Sequence, residues 1–242
     1  MPNSSDDARV LTPPRQRGVE ILDGPGVDPV VRERSMTDLT RSNRWLGGLR
    51  AALLAVGDVV PQLGPAATVL DIGTGLGDIP DRVRRDAERT GVAIATIGVD
   101  EAVTVLAAAR AAGRLTHVVA AQALALPFRD GSVDVVTCSQ VLHHFENQDA
   151  ERLLAEMNRV ARRAVVVSDL RRSRLAVIGW WVASFVFRFH RVTRHDGVVS
   201  VSRGFTDQEL SRLIRSATNA TPTVSRRMAF RLTARWSPTA QP

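Results

Sequence analysis

Val69-Leu70-Asp71-Ile72-Gly73-Thr74-Gly75-Leu76-Gly77-Asp78 is the stretch that decides the fold. An apolar run leads into an acid and then into three glycines at every second position; Asp81 and an amphipathic stretch follow. Glycine has no Cβ, so such a loop turns sharply and lets a ligand touch the main chain. The helix that follows offers its N-terminus to a polar group. The dinucleotide fingerprint is G-x-G-x-x-G and a phosphate-cradling loop ends in Gly-Lys-Ser/Thr. Here the spacing is G-x-G-x-G, and the chain has no lysine at all. Further on, Ala93-Ile94-Ala95-Thr96-Ile97-Gly98-Val99 runs into Asp100-Glu101. A carboxylate closing the second strand of an α/β fold is where ribose hydroxyls bind. Loop and acid together predict a nucleotide-like ligand.

Strands and helices alternate outward from this loop. Strands are predicted over residues 68–72, 94–99, 116–120, 133–138 and 164–168, with helices over 79–90, 102–112 and 149–162 between them. Gly91 and Gly113 stop two of the helices, and Asp130-Gly131 turns into the fourth strand. Such alternation makes a parallel sheet covered by helices on both faces, with ligands at the carboxyl ends of its strands. Residues 28–60 read as helical, capped by Asp28-Pro29 and interrupted at Gly47-Gly48. Phe205-Thr206-Asp207-Gln208-Glu209 is a capping box that opens a helix to Ala217. Residues 221–230 and 231–236 alternate as a final antiparallel pair, and the polar, proline-bearing residues 1–18 are expected to be disordered.

Composition narrows the chemistry. With 242 residues and 44% hydrophobic residues, the chain can bury one large core. Its single cysteine, Cys138, excludes an intramolecular disulfide framework and suits a reducing cytoplasm. All 32 basic residues are arginines and there is no tyrosine, so neither a Schiff-base lysine nor a tyrosine acid or base is available. Residues 1–150 carry 15 Arg against 19 acids, a net of −4; residues 151–242 carry 17 Arg against 6 acids, a net of +11. The basic third is suited to nucleic acid, anionic lipid or an acidic substrate, or is only a solvated surface.

These motifs together resemble the class I S-adenosylmethionine-dependent methyltransferases, in the ubiquinone/menaquinone-type small-molecule branch, over roughly residues 65–170. Residues 69–77 are similar to that family's D-x-G-x-G-x-G motif. Ala123-Leu124-Ala125-Leu126-Pro127-Phe128 with Asp134-Val135-Val136 resembles D-A-x-x-L-P-F…F-D-V-V, and Leu142-His143-His144 resembles the end of a fourth motif. The resemblance implies a Rossmann-like, seven-stranded, mostly parallel sheet with helices on both faces, an N-terminal helical lid over 19–64 and a substrate-lid insertion over 171–204 within a domain spanning 65–242. It implies S-adenosylmethionine as cofactor, S-adenosylhomocysteine as product, and no metal. Asp71, Gly73, Thr74, Gly75 and Gly77 would hold the methionine end and ribose, Asp100 the ribose diol, Glu101, Gln122 and Ala123 the adenine, and Ser139 the sulfonium. Gln122 departs from the family, which has aspartate there; its carbonyl oxygen accepts the same hydrogen bond without the charge.

A methyl on a positive sulfur is electrophilic already, so the protein must align a nucleophile and remove a proton. His143 and His144 follow the fourth strand and Asp169 ends the fifth, its neighbour in this fold. An aspartate orienting an imidazole is the usual support for a histidine base; His143 is the expected base, or else a residue that shapes the pocket. The uncharged residues 175–187, Leu-Ala-Val-Ile-Gly-Trp-Trp-Val-Ala-Ser-Phe-Val-Phe, lie between arginines and are too short to span a bilayer. They read as a lid over an apolar pocket, a core helix, or a membrane-interface contact. The expectation is O-methylation of a small hydrophobic acceptor, phenolic or polyketide-like, in the cytoplasm or peripheral to the membrane. C-methylation of a quinone or lipid precursor is the alternative. RNA methylation ranks below both, because the arginines flank an apolar run and no RNA-binding module is evident. A non-catalytic cofactor-binding partner protein completes the range.

Overall fold

A computed structural model describes residues 12–24 and 26–239. Its centre is one seven-stranded sheet in the order β3-β2-β1-β4-β5-β7-β6. The strands are β1 (Ala66–Ile72), β2 (Ala93–Asp100), β3 (His117–Ala120), β4 (Val133–Ser139), β5 (Ala161–Leu170), β6 (Thr223–Arg227) and β7 (Arg231–Trp236). All pairings are parallel except those of β7, which runs antiparallel to β5 and β6. The middle strands β1, β4 and β5 are buried along most of their length because helices cover both faces.

Two helices precede the sheet, α1 (Pro29–Trp45) and α2 (Gly48–Gly57). Asp28 caps the first, accepting from the Val30 and Val31 amides. Gly47, at φ +80°, makes the break between them. Between strands lie α3 (Asp78–Glu88), α4 (Val103–Ala111) and α5 (Asn147–Val160). After β5 come α6 (Arg174–Val186), α7 (Arg191–Arg203) and α8 (Asp207–Thr218). The capping box at α8 is present in both directions, Thr206 to the Glu209 amide and Glu209 to the Thr206 amide. One face of the sheet buries Leu153, Leu154, Met157, Leu210 and Ile214 of α5 and α8; the other packs on Ala52, Val56, Ile79 and Val83 of α2 and α3.

Three segments depart most from the sequence reading. The helix expected over 149–162 ends at Val160, and β5 begins at once, because Arg162 and Arg163 both reach the Asp134 carboxylate at the start of β4. The strand expected over 221–230 stops at Arg227, and residues 228–230 form a turn in which Ala229 and Phe230 have positive φ. Of the segment expected to be disordered, residues 1–11 lie outside the described residues, but 12–18 are held to the fold. Arg172 donates to the Pro13 carbonyl at 2.7 Å, Gln16 N–H to the Ser202 carbonyl at 3.2 Å, and Arg203 Nε to the Gly18 carbonyl at 3.1 Å.

Residues 12–24, α1, α6 and α7 form one cover across the carboxyl edge of the sheet. Asp38 of α1 accepts the His190 amide at 2.7 Å. One face of α7 grips the N-terminal segment: Asp196 takes the Ile21 and Leu22 amides at 2.8 and 2.9 Å, while Ser200 and Arg203 donate to Glu20 at 2.8 and 3.1 Å.

Candidate active site

A cavity of about 440 Å³ lies between that cover and the ends of β1, β2, β4 and β5. Its floor is the glycine loop. Gly73, Gly75 and Gly77 have φ of +64°, +54° and +72°, a region that costs an L-residue roughly 1–2 kcal/mol. A Cβ on Gly73 would overlap a Val141 methyl, whereas one on Gly75 would meet nothing and project into open space. Asp100 pins the loop, its carboxylate accepting the Gly75 amide at 3.0 Å and the Ala102 amide at 3.0 Å.

The loop end of the cavity is acidic. Asp71 is buried and accepts the Thr137 hydroxyl at 2.7 Å. Burial, with Asp78 and Asp100 nearby, outweighs that hydrogen bond and pushes its carboxyl up to about 7. Burial also raises Asp78. Three carboxylates around an open glycine loop fit a ligand with cationic centres, as S-adenosylmethionine has in its ammonium and sulfonium groups.

The far end holds a histidine–carboxylate pair. His143 Nδ1 lies 2.7 Å from Asp169 Oδ1, and both side chains are almost wholly buried. Burial alone would raise the Asp169 carboxyl, but His143 and the Leu170 amide more than offset it and hold it below the usual range. His143 Nε2 has no hydrogen-bond partner among the described residues, and His143 lines the cavity. The His144 ring lies against it, tilted by 33° with centroids 4.3 Å apart. Burial opposes charge on His144, yet Asp23 and Glu20, each 3.8 Å from its Nδ1, shift its pKa upward overall.

Of the residues singled out from sequence, Asp71, Gly73, Thr74, Gly75, Asp100, Ser139, His143 and His144 line this cavity, and Asp169 stands directly behind His143. Four are not in its wall. Gly77 is the N-cap of α3 and packs on Leu115. Glu101 is exposed beyond β2, and Gln122 and Ala123 sit on the loop after β3, which joins the end of β2 through the Ala121 amide and the Asp100 carbonyl at 3.3 Å.

The structure adds residues the sequence did not signal. Gln140, at φ +58°, follows β4 and donates to Asn43 of α1 at 2.6 Å, tying the cover to the sheet. Arg231, at the start of β7, is 5% exposed with its Nε unpartnered among the described residues; burial lowers its pKa to about 10. Trp180, within the run read from sequence as a lid, forms part of the wall. Glu20, His143 and His144 bring ligand-capable atoms within 4.8 Å of one another, but Glu20 is already paired with Arg203. A cation bound there would lie close to the Arg203 guanidinium, which opposes it.

Comparison with known proteins agrees with this geometry. Residues 70–167 match the family model described as a methyltransferase domain. The plantazolicin methyltransferase BpumL, solved with S-adenosylhomocysteine, superposes with a TM-score of 0.67 at 14% identity over 88% of this chain and 91% of that one. A SAM-dependent methyltransferase from Aquifex aeolicus gives 0.59 at 16% identity over 88% and 100%. Magnesium protoporphyrin IX methyltransferase from Synechocystis, also with S-adenosylhomocysteine, gives 0.52 at 14% over 98% and 96%. The matched segment runs from β1 into β5, and the strand order and glycine loop around it give the fold of the class I S-adenosylmethionine-dependent methyltransferases.

Proposed function

We propose that this enzyme methylates a hydroxyl oxygen of a small hydrophobic acceptor, with His143 as general base and Asp169 as the group that orients it. The observation that carries this reading is the His143 ring, held at Nδ1 by a buried carboxylate with Nε2 unpartnered on the cavity wall. An Asp169 carboxylate kept ionised holds the proton on Nδ1, leaves Nε2 basic, and stabilises the imidazolium that forms. His144 is the poorer base, since Asp23 and Glu20 favour its charged form.

Bound S-adenosylmethionine would supply a methyl group already activated by its positive sulfur. Asp100 holds the ribose diol and releases the Gly75 amide to do so. Asp71 attracts the ammonium group, with Gly73, Thr74, Gly75 and Gly77 shaping the loop beneath it. Ser139 borders the sulfonium, while Glu101, Gln122 and Ala123 border the adenine. Leu22, Met36, Leu39, Val141, Leu170 and Trp180 give the wall an apolar part, set among polar groups such as Arg32, Asn43 and Ser200, which suits a hydrophobic acceptor with a polar end. Arg231 adds a buried positive charge that favours the ionised form of the acceptor hydroxyl. Residues 19–64 and 171–204 act as the lid, excluding water.

The test is turnover of phenols and hydroquinones by wild type and His143→Ala, with S-adenosylhomocysteine affinity measured alongside. Lost turnover with retained affinity is expected. Unchanged turnover at neutral pH would sink the base assignment.

A further inference from the structure

The apolar run in α6 has two apolar faces, and among the described residues only one is buried. Ala176, Trp180 and Ser184 point inward, with Trp180 on the cavity wall and its indole N–H on the Arg194 carbonyl at 3.1 Å. On the other side, Leu175, Ile178, Trp181, Val182, Phe185 and Val186 recur at helical spacing, each between 48% and 71% exposed. A helix that is apolar all round belongs in a core or against lipid, and no helix among the described residues is long and apolar enough to cross a membrane.

The charges around this face name its partner. Between Leu170 and His195 the chain carries six arginines and no acid. Arg174 lies exposed at one end of α6, Arg188 and Arg191 just past the other, and Arg194 stacks over Phe185 at 4.2 Å. A helix with an apolar stripe, a central tryptophan and arginines at both ends is suited to lie in the headgroup region of an anionic bilayer.

We propose that α6 docks this enzyme on anionic membrane surfaces and that its acceptor is a lipid-soluble molecule drawn from the bilayer. One helix then touches lipid on its outer face and the cavity on its inner face. The docking stands on the helix alone; the acceptor class rests on the methyl-transfer reading of the cavity.

Flotation of the full chain with vesicles tests the docking, comparing phosphatidylcholine alone with mixed phosphatidylcholine and phosphatidylglycerol. Binding to the mixed vesicles is expected, weak on the neutral ones and weakened by salt. The double variant Trp181→Glu/Phe185→Glu should bind at least about tenfold less, whereas Val103→Glu, an exposed apolar residue on α4, should bind as wild type. All three should keep their S-adenosylhomocysteine affinity, which shows them folded. No flotation of a wild type that binds S-adenosylhomocysteine would overturn the docking. So would a dimer that the double variant dissociates, since a second copy would then cover the face. For the acceptor, a long-chain alkylphenol embedded in the mixed vesicles should be methylated faster by wild type than by the double variant, while a short soluble phenol is treated alike. Equal rates on the embedded phenol would overturn delivery from the bilayer. Flotation without S-adenosylhomocysteine binding would uphold the docking and remove the methyl-transfer reading instead.

Discussion

Asp169 meets His143 twice: its Oδ1 lies 2.7 Å from the ring Nδ1, and its Oδ2 accepts the His143 backbone amide at 3.2 Å. The Leu170 amide at 2.6 Å completes its shell. The carboxylate therefore fixes the backbone that carries the imidazole as well as the tautomer of the ring.

Asp169→Asn keeps the shape and removes the charge that supports the imidazolium. It should lower kcat by about 10²–10⁴-fold, in the range of a lost general base or its orienting acid. His143→Gln should fall equally far, and the double variant little further, because the two act as one unit. Additive losses in steady-state kinetics would contradict the pairing.

The glycine loop separates fold from binding. Gly73→Ala must displace Val141 and adopt positive φ, so it should melt several degrees lower than wild type and bind cofactor poorly. Gly75→Ala meets no atom but bears the same backbone strain of roughly 1–2 kcal/mol. Its added methyl projects into the space proposed for the ligand, so affinity for S-adenosylhomocysteine should drop more than stability does. Thermal melts beside calorimetry compare the two.

Asp71 predicts a pH dependence. Its folded pKa of about 7 is raised from 3.8, so the empty fold favours the neutral acid and loses stability as pH rises through about 7. A cationic ligand favours the carboxylate, so binding should release a proton. Affinity should grow by about tenfold per pH unit below 7 and level off above it. Asp71→Asn should bind weakly at all pH values, with a flat profile.

Arg231 has no carboxylate partner among the described residues, and a buried cation without one costs the fold free energy. Arg231→Met should therefore raise the melting temperature of the empty protein while lowering kcat/KM for acceptors with ionisable hydroxyls. A variant less stable than wild type would mean that the guanidinium is satisfied in the fold.

The parts of this site that were legible in sequence depend on local chemistry. Gly73, Gly75 and Asp100 announce a strand end and its turn, and Thr206 with Glu209 announces a helix start, because spacing alone sets these geometries. The His143–Asp169 approach followed from the order of β4 and β5. What escaped depends on tertiary contacts. Residues 12–18 are held by Arg172 and Arg203 on their carbonyls and by Arg15 on Asn147 and the Arg203 carbonyl, all partners far away in sequence, so the segment's own pattern gives no sign of order. The turn at Ala229-Phe230 lacks the glycine or asparagine that marks positive φ, which hid the position of Arg231. Residues 175–187 carry no charge on either face, so periodicity could not tell the inner side of α6 from the outer.

Calorimetric titration with S-adenosylhomocysteine tests the central claim most directly. Wild type should bind one equivalent with micromolar affinity, and Asp100→Ala, which removes the proposed ribose anchor, should bind at least about tenfold more weakly. Absence of binding by the folded wild type would contradict the account, as would an Asp100→Ala variant that binds as well as wild type.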